Sequence, residues 1–206
     1  MPKKEAPLEY LDKYLPDGAS GKLFEYLHRY KVHLTITRSR KSILGDYRHA
    51  TGTDHHRISV NGSLNKYAFL ITLIHEIGHL ITFQQYGNRV YSHGKEWKLA
   101  YRGVLEDFIR LKLFPPDLQH ALLKSLHDLP ASSCSDINLT RVLKNYDARD
   151  KTVLVEDIKA GTCFKTSDGK LYKRGRQIRK RIECIELQSG KLYLFSPVYE
   201  VEPVIK

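Results

Sequence analysis

The sequence predicts an α+β protein in which a mostly helical region is followed by a small antiparallel β domain. Apolar residues recur at helical spacing through most of the first two thirds of the chain. A block of alternating apolar and polar residues, between Val32 and Val60, interrupts this helical pattern and indicates a small sheet. After Asp150 the pattern changes to short strand-like segments separated by turn residues.

The elements of the first region follow from spacing and from breakers. Helical spacing over residues 8–30 is interrupted at Pro16-Asp17-Gly18. Alternation predicts three strands, at 32–36, 47–49 and 56–60. We then predict a long buried helix from Ser63 to Tyr86, stopped by Gly87, because its apolar residues surround most of its circumference. Two further helices are predicted, over 92–113 and 117–129.

In the second region, strand-like segments separated by turn residues predict a sheet or barrel of about five strands, at 152–155, 161–165, 170–173, 178–187 and 191–195. The residues between the two regions are mixed and polar, with a short helix predicted over 139–146. We therefore predict a first domain at 1–130, a linker at 131–150 and a second domain at 151–206.

Composition limits the class of protein and its partners. With 41% hydrophobic and 28% charged residues, the chain is typical of a soluble protein, and no apolar run is long enough to span a bilayer. Three cysteines without a CxxC pair and no secretory signal predict the cytoplasm. The net charge of +11 favours nucleic acid first and an anionic membrane surface second, although an ordinary basic protein is also compatible with it.

The long helix contains a pattern of metal-binding residues. His75 and His79 are four residues apart and so project from one helix face, and Glu76 follows the first of them. Two nitrogen donors on a rigid element suit Zn²⁺, with the glutamate placed to act as general base on a zinc-bound water. The HExxH pattern alone also fits a helix with two surface histidines and a salt-bridging glutamate. The apolar flanks favour the metal site.

A catalytic zinc site needs a third protein ligand and keeps its fourth position for water. The candidates are His93, fourteen residues after the second motif histidine, and the acidic Glu96 and Glu106. Spacing does not decide between them, because His93 also fits a surface loop. Trp97, one helical turn after His93, is predicted to pack beneath the site.

These segments together resemble a known family over about residues 8–130. The matching segments are Ile58–Asn61, Leu73–Leu80 and Ser92–Lys98, in this order. They are similar to the SprT-like metalloproteases, the family that includes the eukaryotic Spartan protease.

The resemblance implies a zincin-like domain in which His75, His79 and His93 hold one catalytic Zn²⁺ and Glu76 is the catalytic residue. It also implies cleavage of proteins crosslinked to DNA. The chain departs from many members because its unpaired cysteines cannot form their C-terminal zinc ribbon. Those cysteines are Cys134, Cys163 and Cys184.

A dense cluster of cations in the second domain offers another route to nucleic acid, with DNA favoured. Seven cations and one interleaved aromatic residue within one predicted hairpin would bind phosphates and stack on a base. A solvated hairpin that protects a sheet edge is the simpler interpretation. The residues are Lys170, Tyr172, Lys173, Arg174, Arg176, Arg179, Lys180 and Arg181.

We therefore expect a zinc metalloendopeptidase that acts on a protein or peptide, bound to or crosslinked to DNA. The strand His56–Val60 is expected to dock an extended substrate by strand addition. Tyr101, His55 and His56 are weak candidates for a second oxyanion donor. Two alternatives remain: a nucleic-acid-binding regulator with a structural or vestigial zinc site, and a zinc hydrolase of non-peptide substrates.

Overall fold

The computed structural model describes residues 8–38, 40, 43–52, 55–127, 136–148 and 152–204. By their contacts these residues form two compact units, which divide between Asp147 and Ala148. The mixture of helices with two sheets agrees with the predicted α+β class. Cys134 and part of the predicted linker lie outside the described residues.

The first unit is mostly helical, as predicted, and its elements fall close to the predicted positions. A 3₁₀ segment, Leu8–Tyr14, precedes the first helix, and the chain between the two contains the predicted break. The elements are α1 (Ser20–Arg29), β1 (Val32–Thr37), β2 (Gly45–Arg48), β3 (His56–Asn61), α2 (Lys66–Tyr86), α3 (Lys95–Arg110), α4 (Pro116–His127) and α5 (Ile137–Lys144).

The sheet of the first unit has the strand order β1-β3-β2, with β1 parallel and β2 antiparallel to β3. Strand β3 is therefore paired on both sides. The expectation that His56–Val60 docks a substrate by strand addition is wrong, because no backbone edge of β3 is left to pair. Ile58 and Val60 are fully buried on the sheet face that packs on α2.

Helix α2 lies at the centre of the first unit. The side chain of Asn65 caps its start by accepting the backbone N–H of Ala68 at 2.9 Å, and Gly87 follows its end with a φ of 61°. Sheet residues pack on one side of α2, and the buried Trp97, Tyr101 and other residues of α3 pack on another. Burial on several sides explains why its apolar residues show no single stripe.

Helix α5 packs on the first unit, although its residues fall in the predicted linker. Leu139 joins the core of that unit, and Asn65 donates through Nδ2 to the carbonyl of Leu143 at 3.0 Å. The same amide donates to Asp147 at 2.7 Å. Residues 137–147 therefore belong by contact to the first unit, and the predicted limits of 130 and 151 stay a prediction.

The second unit contains a six-stranded sheet with its own core, which includes Phe164, Tyr172 and Ile182. All its pairings are antiparallel, in the order β4-β9-β5-β6-β7-β8. The last strand, β9, was not predicted. The strands are β4 (Val153–Leu154), β5 (Cys163–Lys165), β6 (Leu171–Ile178), β7 (Arg181–Glu186), β8 (Leu192–Phe195) and β9 (Glu200–Pro203).

None of the described helices combines the length and the apolar character that crossing a bilayer requires.

Candidate metal centre

Three histidines converge at one point of the first unit. His75 and His79 lie on α2, and His93 lies in the turn just before α3. The Nε2 atom of His75 is 3.2 Å from the Nε2 of His79 and 3.2 Å from the Nε2 of His93. One donor atom from each histidine falls within 4.8 Å of the other two. The structure thus brings together the three residues predicted as ligands.

Burial keeps these imidazoles in the neutral form. Burial, with smaller contributions from the other two histidines, lowers the pKa of His75 from 6.5 to about 3. The pKa of His79 is lowered from 6.5 to about 4, first by burial and then by His93. Burial also lowers the pKa of His93. A neutral imidazole is the form that binds a metal ion, so the protonation state of the cluster suits coordination.

Trp97 forms the floor of the cluster. Its ring centroid lies 4.6 Å from His75, 5.3 Å from His79 and 4.7 Å from His93. Tyr101 stacks on the indole, at 5.0 Å and with nearly parallel planes, and its ring also lies 6.0 Å from His75. The tryptophan was predicted beneath the site, and these contacts confirm that position.

The close approach of α2 and α3 depends on Gly78. A Cβ built there would lie 3.1 Å from Nε1 of Trp97 and 3.2 Å from Cβ of Tyr101. The glycine between the motif residues therefore lets the indole lie under the histidines. Two buried nitrogens near this contact, Nε1 of Trp97 and Nδ1 of His75, have no hydrogen-bond partner among the described residues.

Glu76 is buried against strand β2. A Cβ built on Gly45 would lie only 2.6 Å from Oε1 of Glu76. Burial, supplemented by the negative charge of Asp46, raises the pKa of Glu76 from 4.5 to about 8, while Arg40 opposes the rise. The carboxyl thus occupies a site with little solvent, on the residue that follows His75 in α2.

Hydrogen bonds from Arg40 hold the residues near Glu76 in place. Its Nε donates to Oδ1 of Asn61 at 2.8 Å, and its Nη1 donates to Oγ of Ser59 at 3.0 Å. Asn61 donates in turn to the carbonyl of Ile43 at 2.9 Å, just before β2. Sequence analysis missed Gly45, Asp46 and Arg40. No sequence motif marks them, because they come near Glu76 only through the folding of β2 and of the chain before it onto β3.

The donor set fits a zinc ion. Zn²⁺ binds imidazole nitrogens at roughly 2.0–2.1 Å in a tetrahedron, which separates neighbouring donors by roughly 3.3 Å. The two Nε2 separations of 3.2 Å are close to this value. Three neutral nitrogen donors also leave one tetrahedral position for water, as catalytic zinc sites do.

The other candidates from the sequence do not join this cluster. Among the described residues, the ligand group contains His93 and neither Glu96 nor Glu106. Glu106 lies 3.9 Å from Arg110 in an exposed ion pair. As for the weak oxyanion candidates, Tyr101 is buried against Trp97, and the Nδ1 of His56 lies 2.9 Å from the hydroxyl of Tyr47.

The predicted basic hairpin forms from β6 and β7, joined by a turn at Arg179 and Lys180. Lys170 is paired with Glu186 at 3.2 Å, and the half-buried Arg174 donates to the carbonyl of Val155 at 3.3 Å. Lys170 is exposed, and the other exposed cations are Lys173, Arg176, Arg179, Lys180 and Arg181.

Tyr172 does not serve as a stacking platform. Its side chain is only 5% exposed, and its ring packs on Phe164 at 5.7 Å and on Phe195 at 4.9 Å. The expectation that Tyr172 stacks on a base is therefore wrong. Alternation along β6 places this side chain in the core of the second unit.

Comparison with known proteins places the chain in a family. Residues 14–120 match the model of the SprT-like family. The chain is 45% identical over 49 residues to Protein SprT of Pseudomonas fluorescens (strain Pf0-1), which covers 24% of this chain and 26% of that protein. It is 49% identical over 35 residues to Protein SprT of Pseudomonas putida (strain W619), which covers 17% of this chain and 21% of that protein.

These matches span about a quarter of the length of the curated relatives. No solved structure matches the chain. The family match nevertheless extends over more than half of the sequence and contains all three converging histidines and Glu76. The chain belongs to the SprT-like family.

Proposed function

We propose that this protein is a zinc-dependent metallopeptidase of the SprT-like type, with a zincin-like first domain. The observation that carries the proposal is the convergence of three neutral imidazoles, with a buried carboxyl one residue along the same helix. His75, His79 and His93 would hold the ion. Bound zinc would supply Lewis acidity, which lowers the pKa of water and polarises a carbonyl.

In this mechanism Glu76 moves the proton. Its carboxyl has a pKa of about 8 in the metal-free molecule, and a nearby divalent cation favours the charged form, which is the form that accepts a proton. One oxygen of the carboxylate takes a proton from the attacking water, and the same group then delivers it to the leaving amine. The surrounding apolar residues of α2 exclude bulk water from these transfers.

The decisive experiment compares the wild-type protein with Glu76→Gln and His93→Ala. Zinc content is measured after dialysis, and cleavage is measured on a DNA-bound protein, with and without DNA. Wild type and Glu76→Gln should both retain one zinc. Glu76→Gln should lower the cleavage rate by roughly 10²–10⁴-fold, the usual contribution of a general base. His93→Ala should lose both zinc and cleavage.

Two outcomes contradict the proposal. If wild type and Glu76→Gln bind zinc and neither cleaves, the peptidase assignment fails. The alternative function, a nucleic-acid-binding regulator with a structural or vestigial zinc site, would then be favoured. Equal cleavage by both proteins would remove Glu76 from the mechanism.

We also infer that the substrates are proteins associated with nucleic acid, and that DNA binds the β6–β7 hairpin. The exposed cations at its end support this inference. Arg179 has a φ of 53°, a left-handed conformation that costs most residues about 1–2 kcal/mol. Glycine or asparagine would occupy that turn position at lower cost.

The hairpin is tested by the salt dependence of DNA binding. Neutralising three hairpin cations should reduce the slope of log K against log salt by about 2–3, since each phosphate contact contributes roughly 0.7–0.9. A control set of exposed cations in the first unit should leave the slope unchanged. The hairpin variants are Arg179→Gln, Lys180→Gln and Arg181→Gln, and the control set is Arg89→Gln, Lys112→Gln and Lys124→Gln.

An unchanged slope in the hairpin variant would remove the hairpin from the interface and leave the peptidase assignment unaffected. The cytoplasm stays the proposed location. The two described cysteines, Cys163 and Cys184, support it because both are free thiols.

A further inference from the structure

A second polar site lies in the first unit, apart from the three histidines. It is a cavity of about 520 Å³ at the N-terminal ends of the parallel strands β1 and β3. The end of α1 contributes Arg29 and the following Lys31 to its wall. His55 and His56 contribute from the start of β3, and Gln84 contributes from α2. The volume is sufficient for a small ligand.

The hydrogen bonds of His56 define which groups face the cavity. The backbone N–H of Ala50 donates to Nδ1 of His56, with a separation of 3.3 Å, and the Tyr47 hydroxyl lies 2.9 Å from the same atom. A backbone N–H only donates, so Nδ1 is the accepting nitrogen of a neutral ring. The proton of the imidazole is therefore on Nε2.

This assignment fixes the side-chain amide of Gln84. The Nε2 of His56 is 2.6 Å from the amide nitrogen of Gln84, a separation that requires one acceptor. Since His56 donates from Nε2, Gln84 must present its oxygen there, with the amide turned by 180°. The NH₂ group of Gln84 is then left as a donor for the cavity. Burial lowers the pKa of His56 and keeps the ring neutral in this arrangement.

The groups that line the cavity are therefore mostly donors and cations. Arg29 and Lys31 are both exposed, and within the described part of the chain neither is paired with a carboxylate. No acidic residue lines the cavity among the described residues. Residues that carry a guanidinium, an ammonium and an amide NH₂ thus line one cavity, and these groups are complementary to an oxyanion with several acceptor oxygens.

We propose that this cavity binds a phosphate group, free or as part of a nucleotide chain, through Arg29, Lys31 and Gln84. The proposal goes beyond peptidase activity, because it concerns residues that take no part in the metal centre. A phosphate offers three or more acceptor oxygens, which matches the number of donors. A site of this kind would add a local contact to the attraction that the net charge of +11 exerts on polyanions.

The experiment is a titration of the full chain with inorganic phosphate at low ionic strength, followed through its backbone amide NMR signals. It is run on the zinc-loaded and on the metal-stripped protein, so that phosphate on the ion is distinguished from phosphate in the cavity. We expect a saturable shift of the amide signals of Lys31, Ala50 and Gln84 in both forms. A second arm uses a short single-stranded oligonucleotide.

Lys31→Gly removes the ammonium without straining the fold. Lys31 has a φ of 49°, which glycine adopts freely, so the variant should fold at least as well as wild type. Lys112 provides a matched control, because it also lies two residues past the end of a helix and has a φ of 55°. Lys31→Gly and Arg29→Gln should each weaken phosphate binding about tenfold, and Lys112→Gly should not change it.

Each outcome decides the proposal. Saturable shifts that Lys31→Gly weakens and Lys112→Gly preserves support it. Equal affinity in wild type, Lys31→Gly and Arg29→Gln would place the phosphate elsewhere and overturn it, as would the absence of saturation. Where the site is supported, tighter binding of the oligonucleotide than of inorganic phosphate identifies a nucleic acid strand as the source, and equal binding identifies the free ion.

Discussion

Replacing Gly45 by alanine should disturb Glu76 directly. The added Cβ would lie 2.6 Å from Oε1 of Glu76, 3.0 Å from its Cγ and 2.7 Å from Cγ2 of Thr72. Contacts this short do not occur between such atoms, so either the carboxyl or strand β2 must move. Gly45 is thus expected to act as a positioning residue, which lets β2 lie directly on the glutamate.

The expected change in stability is the difference of two effects. Overpacking a buried contact costs about 1–3 kcal/mol. Alanine also reduces the entropy of the unfolded chain, which favours the folded state by about 0.4–1 kcal/mol where the backbone is compatible. Gly45→Ala should therefore lower the free energy of unfolding by about 0.5–2 kcal/mol. In a Glu76→Ala background two of the three close contacts are gone, and the loss should shrink by about 1 kcal/mol.

Urea denaturation of the metal-stripped protein measures this difference, because bound metal would add its own stabilisation. Trp97 is the only tryptophan in the sequence, so its fluorescence reports the unfolding of the first unit alone. Gly103→Ala is the matched control. Gly103 lies within α3, and a Cβ there has no neighbour within 4 Å. This control should stabilise the protein by about 0.5–1 kcal/mol, independently of Glu76.

The reasoning is refuted by either of two results. The first is that Gly45→Ala stabilises the first unit, as we expect Gly103→Ala to do. The second is that Gly45→Ala lowers the free energy of unfolding by the same amount in the wild-type and Glu76→Ala backgrounds, to within about 0.5 kcal/mol. The second result would mean that β2 moves as a whole and that Gly45 has no particular relation to the carboxyl.

Three further predictions concern other parts of the molecule. Gly78→Ala should push the Trp97 indole from the histidines and weaken zinc binding in a chelator competition; unchanged affinity would contradict this. Glu76 has a pKa raised from 4.5 to about 8, so the folded state binds its proton more tightly and stability falls as pH rises through that range. Glu76→Gln should therefore stabilise the metal-free protein more at pH 8 than at pH 4.5. A difference in free energy of unfolding between wild type and Glu76→Gln that does not change with pH would exclude the raised pKa of Glu76. Arg179→Gly should remove the strain of the left-handed conformation and so slow amide exchange in β6 and β7, while it weakens DNA binding. Faster amide exchange would contradict this prediction.

The sequence predicted the position of the two helix histidines because it depends on local geometry. His75 and His79 share a helix face through i,i+4 geometry, which depends on the helix alone. Trp97 could be placed one turn after His93 for the same reason. The choice of His93 over Glu96 and Glu106 required family resemblance, because the fold of the turn before α3 determines which side chain reaches α2.

The contacts of Glu76 could not be predicted, because they are long-range. Gly45 reaches α2 only because β2 pairs with β3 in a register that places Gly45 opposite Val60. Nothing in the alternation of the three short segments indicates this pairing or the parallel placement of β1. The same limit explains the error about substrate docking on β3, since alternation identifies a strand and does not reveal whether it lies at an edge.

The second unit shows a related limit. Strand β9 was missed because Glu200–Pro203 is short and ends in proline, which usually argues against a paired strand. In the structure Pro203 pairs with Phe164 in β5 at the end of β9, where the missing N–H interrupts little of the ladder. Tyr172 was assigned to the surface because charged residues surround it in sequence, although strand alternation turns it to the core.

The metal centre and the stability of the first unit are linked through burial. Burial lowers the pKa of His75 to about 3 and so maintains the neutral ring that coordination needs. The same burial leaves Nδ1 of His75 without a partner among the described residues, at a cost of about 1–3 kcal/mol. Burial also disfavours the charged form of Glu76, which is the form that the proposed mechanism uses. These costs fall within one turn of α2 and are offset by the aliphatic residues packed around it. A bound cation would favour the carboxylate form of Glu76 and would bind the three Nε2 atoms, so zinc should raise the free energy of unfolding of the first unit.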